Sequence, residues 1–416
     1  MKIVVIQEEI IQTDITPKEL TERWKRLEQL PGIDEVVIEV PAHYPNIEQL
    51  HTYIGDADAA FGLWIGPDNM NEAFLSQHPN LKYVATLGHG WEKFDTEMTR
   101  KRGISISNTI YGSQTIAEYA FALLMDVCHH IGTHDTRIKT IDWSVPENHN
   151  EFCKSITRQI ELYDKTIGVI GLGAIGVLVA NAATHLGMDV YGYDPYISVS
   201  AAWNLSRSVK HISNVEDIYR ECDYITIHVP LLDSTKKMVN AEAIAMMKPN
   251  AIVLNFARDL LVDEEAMVEA LAAGKIKKYV SDFPNPTTVG AKGCIVTPHL
   301  GASTAESEDN CAIMAVREIR DYMENGNIVH SVNFPDCSMG ACTTAGRIGI
   351  LHRNVSGMIS QYSTTLGDAG MNIAGMTNKS KGDYAYVLID VDSPVTEDVI
   401  QKLENIEGVL KVRKVK

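Results

Sequence analysis

Residues 171–176 read GLGAIG, directly after the apolar run TIGVI and at the head of the apolar stretch AIGVLVANAATHLG. A bare GxGxxG pattern says little. Between a strand-like run and a helix-like one, it dictates strand, tight turn and helix in succession. Gly171 permits the turn, Gly173 lets backbone approach a diphosphate, and Gly176 lets helix and strand pack closely. The phosphates then meet the first helical amides, those of Ala174 and Ile175, where unpaired N–H groups and the helix dipole favour anions. Asp194 closes the next apolar run, eighteen residues beyond Gly176, where a carboxylate binds the adenosine ribose diol and repels a 2′-phosphate. NAD is therefore expected over NADP. The plainer alternative is a glycine turn with a capping Asp.

Around this motif the apolar runs recur at 188–194, 223–229, 251–257, 278–283 and 294–298, separated by helix-like segments. That alternation predicts a doubly wound parallel sheet. The first third repeats the pattern with KIVVI, DEVVIEV, DAAFGLWIG and KYVATLG, so a second parallel sheet is expected there. Residues 114–125 are apolar nearly all round, as a buried helix is, and the polar, aromatic stretch after them is left unassigned. A helix-like stretch spans 305–326, residues 331–344 (SVNFPDCSMGACTT) read as a linker, and the remainder alternates strands and helices again.

At 416 residues the chain holds several domains, and a formal net charge of −17 argues against nucleic-acid and anionic-membrane partners. The N-terminus lacks a signal-peptide core, and no apolar stretch approaches the roughly 20 residues that cross a bilayer, so a cytoplasmic protein is expected. Seven scattered cysteines without a CxxC pair predict reduced thiols. Neither Cys337 with Cys342 nor the cluster His129, His130 and His134 has the spacing of a metal site, and no metal is expected.

A nicotinamide enzyme that oxidises an alcohol needs a base for the hydroxyl proton and a cation for the substrate. Arg258 in NFARD and His299 in TPHLGAST each fall just past a strand's C-terminal end, where open α/β sheets bind ligands. Together GLGAIG, HVPLLDSTKKMVN (228–240), MKPNAIVLNFARD (247–259) and TPHLGAST (297–304) resemble the D-2-hydroxyacid dehydrogenase family over about residues 81–329. The resemblance implies that Arg258 binds the substrate's carboxylate and 2-oxygen, and that His299 is the general acid/base. It places Pro230, Ala257 and Asp282 at the cofactor, Asp282 against the nicotinamide carboxamide. It makes residues 88–90, with His89 and Gly90, the substrate loop.

Two departures matter. The family's usual Glu partner of the His is missing from DFPNPTT, where Asn285 and Thr287 stand, so the imidazolium loses an opposing charge and the pH optimum should shift. Phosphoglycerate-oxidising members carry basic side chains near the segment that here reads FGLWIGPDN. Residues 61–71 contain no Arg or Lys; Lys93, Arg137 and Lys139 are the candidates to substitute, with a solvated surface role the favoured reading for each.

The C-terminal seventy residues resemble an ACT domain, a βαββαβ amino-acid-sensing module. That likeness makes His352, Asn354 and Asn372 the positions for an L-serine effector held between two such domains, with Ser356 where the motif usually has proline. The alternative is a purely structural dimerisation domain.

The expected architecture is two Rossmann-like doubly wound domains plus an α+β ACT domain. Residues 1–110 and 300–330 would bind substrate, 111–299 NAD, 331–345 would link, and 346–416 would regulate an enzyme expected to be a homo-oligomer. D-3-phosphoglycerate is the first choice of substrate. Hydroxypyruvate, glycerate or another D-2-hydroxy acid stays open, as does a non-catalytic NAD-sensing regulator.

Overall fold

The structure, a computed structural model, describes residues 1–6, 21–22, 24–29, 33–42, 45–62, 71–86, 96–109, 112–150 and 159–416. The chain forms two compact units, Gly112–Thr304 and a second made of Met1–Tyr111 with Ala305–Lys416.

In Gly112–Thr304, strands β6 (Thr166–Ile170), β7 (Asp189–Tyr193), β8 (Lys210–His211), β9 (Tyr224–Ile227), β10 (Ala251–Asn255), β11 (Ile276–Ser281) and β12 (Cys294–Val296) form one sheet of order β12-β11-β10-β9-β6-β7-β8. Every pairing is parallel. Alternate side chains therefore enter different cores. Ile167 and Val169 pack with the helix Ser113–His129, which buries one face (Ile116, Ala120, Leu124, Val127) and exposes Gln114, Glu118 and Ala122 rather than being buried all round, and Ile170, Ile225 and Val253 pack on the opposite face. The order reverses between β6 and β9, which puts a switch point beside the glycine turn. The unassigned stretch after residue 129 contains the helix Ile131–Lys139 and a 3₁₀ turn at Pro146–Asn150.

The other unit begins with β1 (Lys2–Ile6), β2 (Glu35–Glu39), β3 (Ala59–Gly62), β4 (Tyr83–Thr86) and β5 (Ser105–Asn108), a parallel sheet of order β2-β1-β3-β4-β5. Ile3 and Val5 face one core, Val4 and Ile6 the other. Sequence reasoning passes over β5, whose residues SISN lack an apolar run. Ser105 and Ser107 are buried all the same, Ser107 accepting a 2.7 Å hydrogen bond from Tyr83.

At the C-terminus β13 (Gly346–Arg353), β14 (Ile373–Lys381), β15 (Tyr384–Val391) and β16 (Val409–Lys414) make an antiparallel sheet of order β14-β15-β13-β16, with helices Met358–Asp368 and Glu397–Glu404 completing a βαββαβ path. Ile348, Ile350, Val387 and Ile389 pack with the two helices. The opposite face is also covered. Leu351, Tyr384, Tyr386 and Leu388 share a core with Ile319 and Tyr322 of the helix Ala305–Asn325 and with Phe61 and Tyr83 of the N-terminal sheet. Tyr386 lies across Gly349, where a Cβ would sit 2.4 Å from its hydroxyl, and donates to Gly326 O at 2.7 Å. Arg347 and Asp390 are cross-strand partners and form a buried ion pair (Nη2 to Oδ2, 2.8 Å). Arg347 Nη1 donates to Asn325 O and Gly340 O. The first half of the stretch read as a linker is packed, since Val332, Phe334 and Cys337 are buried and Cys337 bridges to Ile328, whereas none of residues 338–345 is buried.

Among the described residues no helix is long and apolar enough to cross a membrane, no His, Cys, Asp and Glu cluster could hold a metal, and no disulfide joins the six cysteines.

Candidate active site

The turn after β6 is built by the absence of side chains. Gly171 has φ +93°, and a Cβ on it would sit 2.7 Å from His228 O. A Cβ on Gly176 would sit 1.8 Å from Gly171 O, so only glycine lets the helix Ala174–His185 start this close to the turn. At Gly173 the opposite holds: nothing lies within 4 Å of its Cβ position, and no side chain caps the helix whose N-cap it is. Open space beside the uncapped amides of Ala174 and Ile175 fits a dinucleotide's diphosphate. Asp194 directly follows β7 and ties the turn together, accepting from Leu172 N at 2.9 Å and Tyr196 N at 2.8 Å. Each oxygen uses one acceptor site, leaving capacity for a ribose diol.

His228 follows β9 beneath this turn. Its Nε2 meets Thr226 Oγ1 at 2.9 Å, and its buried Nδ1 has no partner among the described residues. Burial pushes its pKa down to about 4, so the ring is neutral near pH 7. Pro230 is exposed two residues on.

Arg258 follows β10. The buried Asn255 organises its loop, donating to Arg258 O at 2.7 Å and accepting from Ala257 N at 3.2 Å, while Arg258 Nη1 donates to Ala257 O at 2.7 Å. His299 follows β12 in the left-handed region, φ +59°, with its side chain exposed. Because β10, β11 and β12 are adjacent and parallel, the structure brings Arg258, Asp282 and His299 to the same end of the sheet.

Sequence reasoning missed how the His299 turn is held. Asp282, 1% exposed, accepts from Thr297 Oγ1 (2.6 Å), Leu300 N (3.0 Å) and Gly301 N (2.7 Å). The carboxylate thereby brackets residue 299 on both sides. Where the family's Glu would be, Asn285 organises its own turn, accepting from Thr287 N and Thr288 N and donating to Glu264. Burial raises the Glu264 pKa, opposed by bonds from Asn285 and Tyr279. No carboxylate pairs with His299 among the described residues. Its ring instead meets that of Phe283, centroids 4.9 Å apart. His89 and Gly90, with Lys93, lie outside the described residues.

The three effector positions do not converge within one chain. His352 is buried, Nδ1 on Arg353 O (2.7 Å) and Nε2 on Asn378 Oδ1 (3.1 Å), edge-on to Tyr362. Asn354 donates to Gly382 O at 3.0 Å, beyond the last residue of β14. Asn372 precedes the first residue of β14, so at about 3.3 Å per residue a strand of roughly 25 Å separates the two asparagines.

The family model described as "D-isomer specific 2-hydroxyacid dehydrogenase, NAD binding domain" matches residues 121–301. A hydroxypyruvate reductase of Blautia hydrogenotrophica is 32% identical over 319 residues, 74% of this chain and 94% of that protein. The D-3-phosphoglycerate dehydrogenase of Escherichia coli is 27% identical over 406 residues, 94% of each chain. The crystal structure of an NAD⁺-bound 3-phosphoglycerate dehydrogenase from Entamoeba histolytica superposes with a TM-score of 0.61 at 24% identity, covering 80% of this chain and 98% of that one.

Proposed function

The chain belongs to the D-isomer specific 2-hydroxyacid dehydrogenase family and is a NAD-dependent oxidoreductase, and from that premise we propose that it oxidises D-3-phosphoglycerate to 3-phosphohydroxypyruvate, the entry step to serine synthesis. The observation that carries this reading is the likeness to the E. coli enzyme over 94% of both chains, where the match to the hydroxypyruvate reductase spans 74% of this chain. NAD supplies the hydride acceptor. Arg258 holds the substrate carboxylate, the hydride leaves C2, and His299 takes the hydroxyl proton as the 2-oxo product forms. Gly171, Gly173, Ala174, Ile175, Gly176, Asp194, Pro230 and Ala257 hold the dinucleotide. Asp282 was expected at the carboxamide; its three donors favour a role in orienting the His299 turn as well.

The C-terminal unit is read as an ACT domain. Because Asn354 and Asn372 lie at opposite ends of β14, an L-serine site containing both requires two copies of the chain, which favours a homo-oligomer. His352, with both ring nitrogens engaged, would position that site unless it rotates.

A second reading, a hydroxypyruvate or glycerate dehydrogenase, is favoured by the lack of Arg and Lys in residues 61–71 and by the 32% identity to the reductase. Initial rates with NAD and D-3-phosphoglycerate, D-glycerate or D-lactate, each with and without L-serine, separate the two. Preferential turnover of the phosphorylated acid, slowed by serine, is expected. Turnover of unphosphorylated acids alone would move the chain to the second reading, and no turnover with any of them would favour the regulator.

A further inference from the structure

Where the N-terminal sheet, the end of the helix Ala305–Asn325 and β16 meet, there is a cavity of about 320 Å³. Lys82, Lys411, Arg413 and Lys414 line it beside the apolar surfaces of Met323 and Leu351. Two of these cations are already engaged. Lys82 pairs with Asp58 at 2.5 Å, and Arg413 lies over the Tyr322 ring while donating to Tyr322 O and Met323 O. Lys411 and Lys414 have no ion pair or hydrogen-bond acceptor among the described residues. Among the described residues no carboxylate is in the lining.

We propose that this cavity binds a small multivalent oxyanion, a phosphate or a short dicarboxylate, with Lys411 as its principal ligand. An amine drawn partly out of water without an acceptor is costly, and a bound oxyanion supplies the acceptor. Burial, with the Lys82 charge adding to it, brings the free Lys411 amine down to about 8, opposed by Asp58 and Glu404. The apolar wall leaves room for a short carbon stem. Lys411 pairs in register with Leu351 of β13, whose side chain lies in the core shared with the N-terminal sheet, so an occupant would touch both sheets and fasten one to the other. The inference does not depend on which hydroxy acid is oxidised.

The test uses the full chain saturated with NAD, so that the dinucleotide turn is occupied, with inorganic phosphate and malonate as probes. Each should raise the thermal midpoint in a concentration-dependent way. Lys411→Met should weaken that binding roughly tenfold or more, while Lys411→Arg should retain it. The free Met variant should be no less stable than the parent, because a desolvated charge is removed. A measurement on the unaltered protein guards against misfolding of the variants: trace acetylation followed by peptide mapping should show phosphate protecting Lys411 more than Lys402. No anion-dependent stabilisation, equal stabilisation of Lys411→Met, or no protection of Lys411 would overturn the proposal.

Discussion

The seven-stranded sheet of Gly112–Thr304 and the four-stranded C-terminal sheet are both covered on two faces, yet they place their polar groups differently. In the parallel sheet the strands are mostly apolar, and the proposed working groups Asp194, Arg258 and His299 come just past strand ends, with buried Asn255 and Asp282 ordering the loops there. In the antiparallel sheet the charged pair Arg347–Asp390 lies within the strands themselves, because that face meets the carbonyl-bearing end of the helix Ala305–Asn325. A sheet that works at its ends can keep its middle apolar. One that docks through its middle must satisfy polar groups there.

The largest effect expected at the strand ends is on chemistry. His299→Ala should lower turnover by about 10²–10⁴-fold with NAD affinity within a factor of two or so of the parent by fluorescence titration. Loss of NAD binding in step with turnover would instead make His299 a structural residue. Within the docked sheet the largest effect is on stability. Asp390→Ala leaves Arg347 buried and uncompensated and should cost about 3–5 kcal/mol in denaturant unfolding of the C-terminal unit. The double replacement Arg347→Met with Asp390→Leu should recover much of that loss, and a single Asp390→Ala cost below about 1 kcal/mol would show that the pair is not carrying the docking.

Acid should separate the units further. His228 titrates at about 4 in the fold against an ordinary value near 6.5, so the folded state favours the neutral ring. Its contribution is complete above pH 6.5 and is lost as pH falls toward 4, where the unfolded chain takes up the proton first. The expected loss is about 1–3 kcal/mol. His228→Gln should flatten the acid limb of the stability curve between pH 6.5 and 4, and an unchanged slope would assign that limb to other groups. The smallest effect distinguishes two glycines of one motif. Gly173→Ala should leave the thermal midpoint unchanged and weaken NAD about tenfold, since its Cβ meets nothing until the diphosphate arrives. Gly176→Ala should lower both, because its Cβ collides with Gly171 O in the free protein.

Much of the cofactor unit was legible from residues alone because its determinants are local. GLGAIG, the carboxylate at Asp194 and the apolar runs that became β6, β7, β9, β10 and β11 carry their meaning within a few positions of themselves. Strands β5 and β14 were not found by apolar periodicity, because SISN and IAGMTNKSK owe their conformation to backbone pairing with β4 and β15. The absence of the Glu partner was readable at Asn285. That Phe283 would meet the His299 ring, and that Asp282 would bracket the turn with three donors, was not.

By itself, the sequence determined where strand must turn to helix, which end of the sheet receives a dinucleotide, and which side chains stand at that end. Backbone geometry and glycine sterics act over a handful of residues and leave their mark in residue order. Only the tertiary structure decided that Val332, Phe334 and Cys337 are buried, that the C-terminal sheet presents Tyr384, Tyr386 and Leu388 to the N-terminal half, and that Lys411 lacks an acceptor among the described residues. Those outcomes depend on groups hundreds of positions apart being buried together, and the free energy of burying a charge or an aromatic ring is set by what surrounds it once the chain has closed.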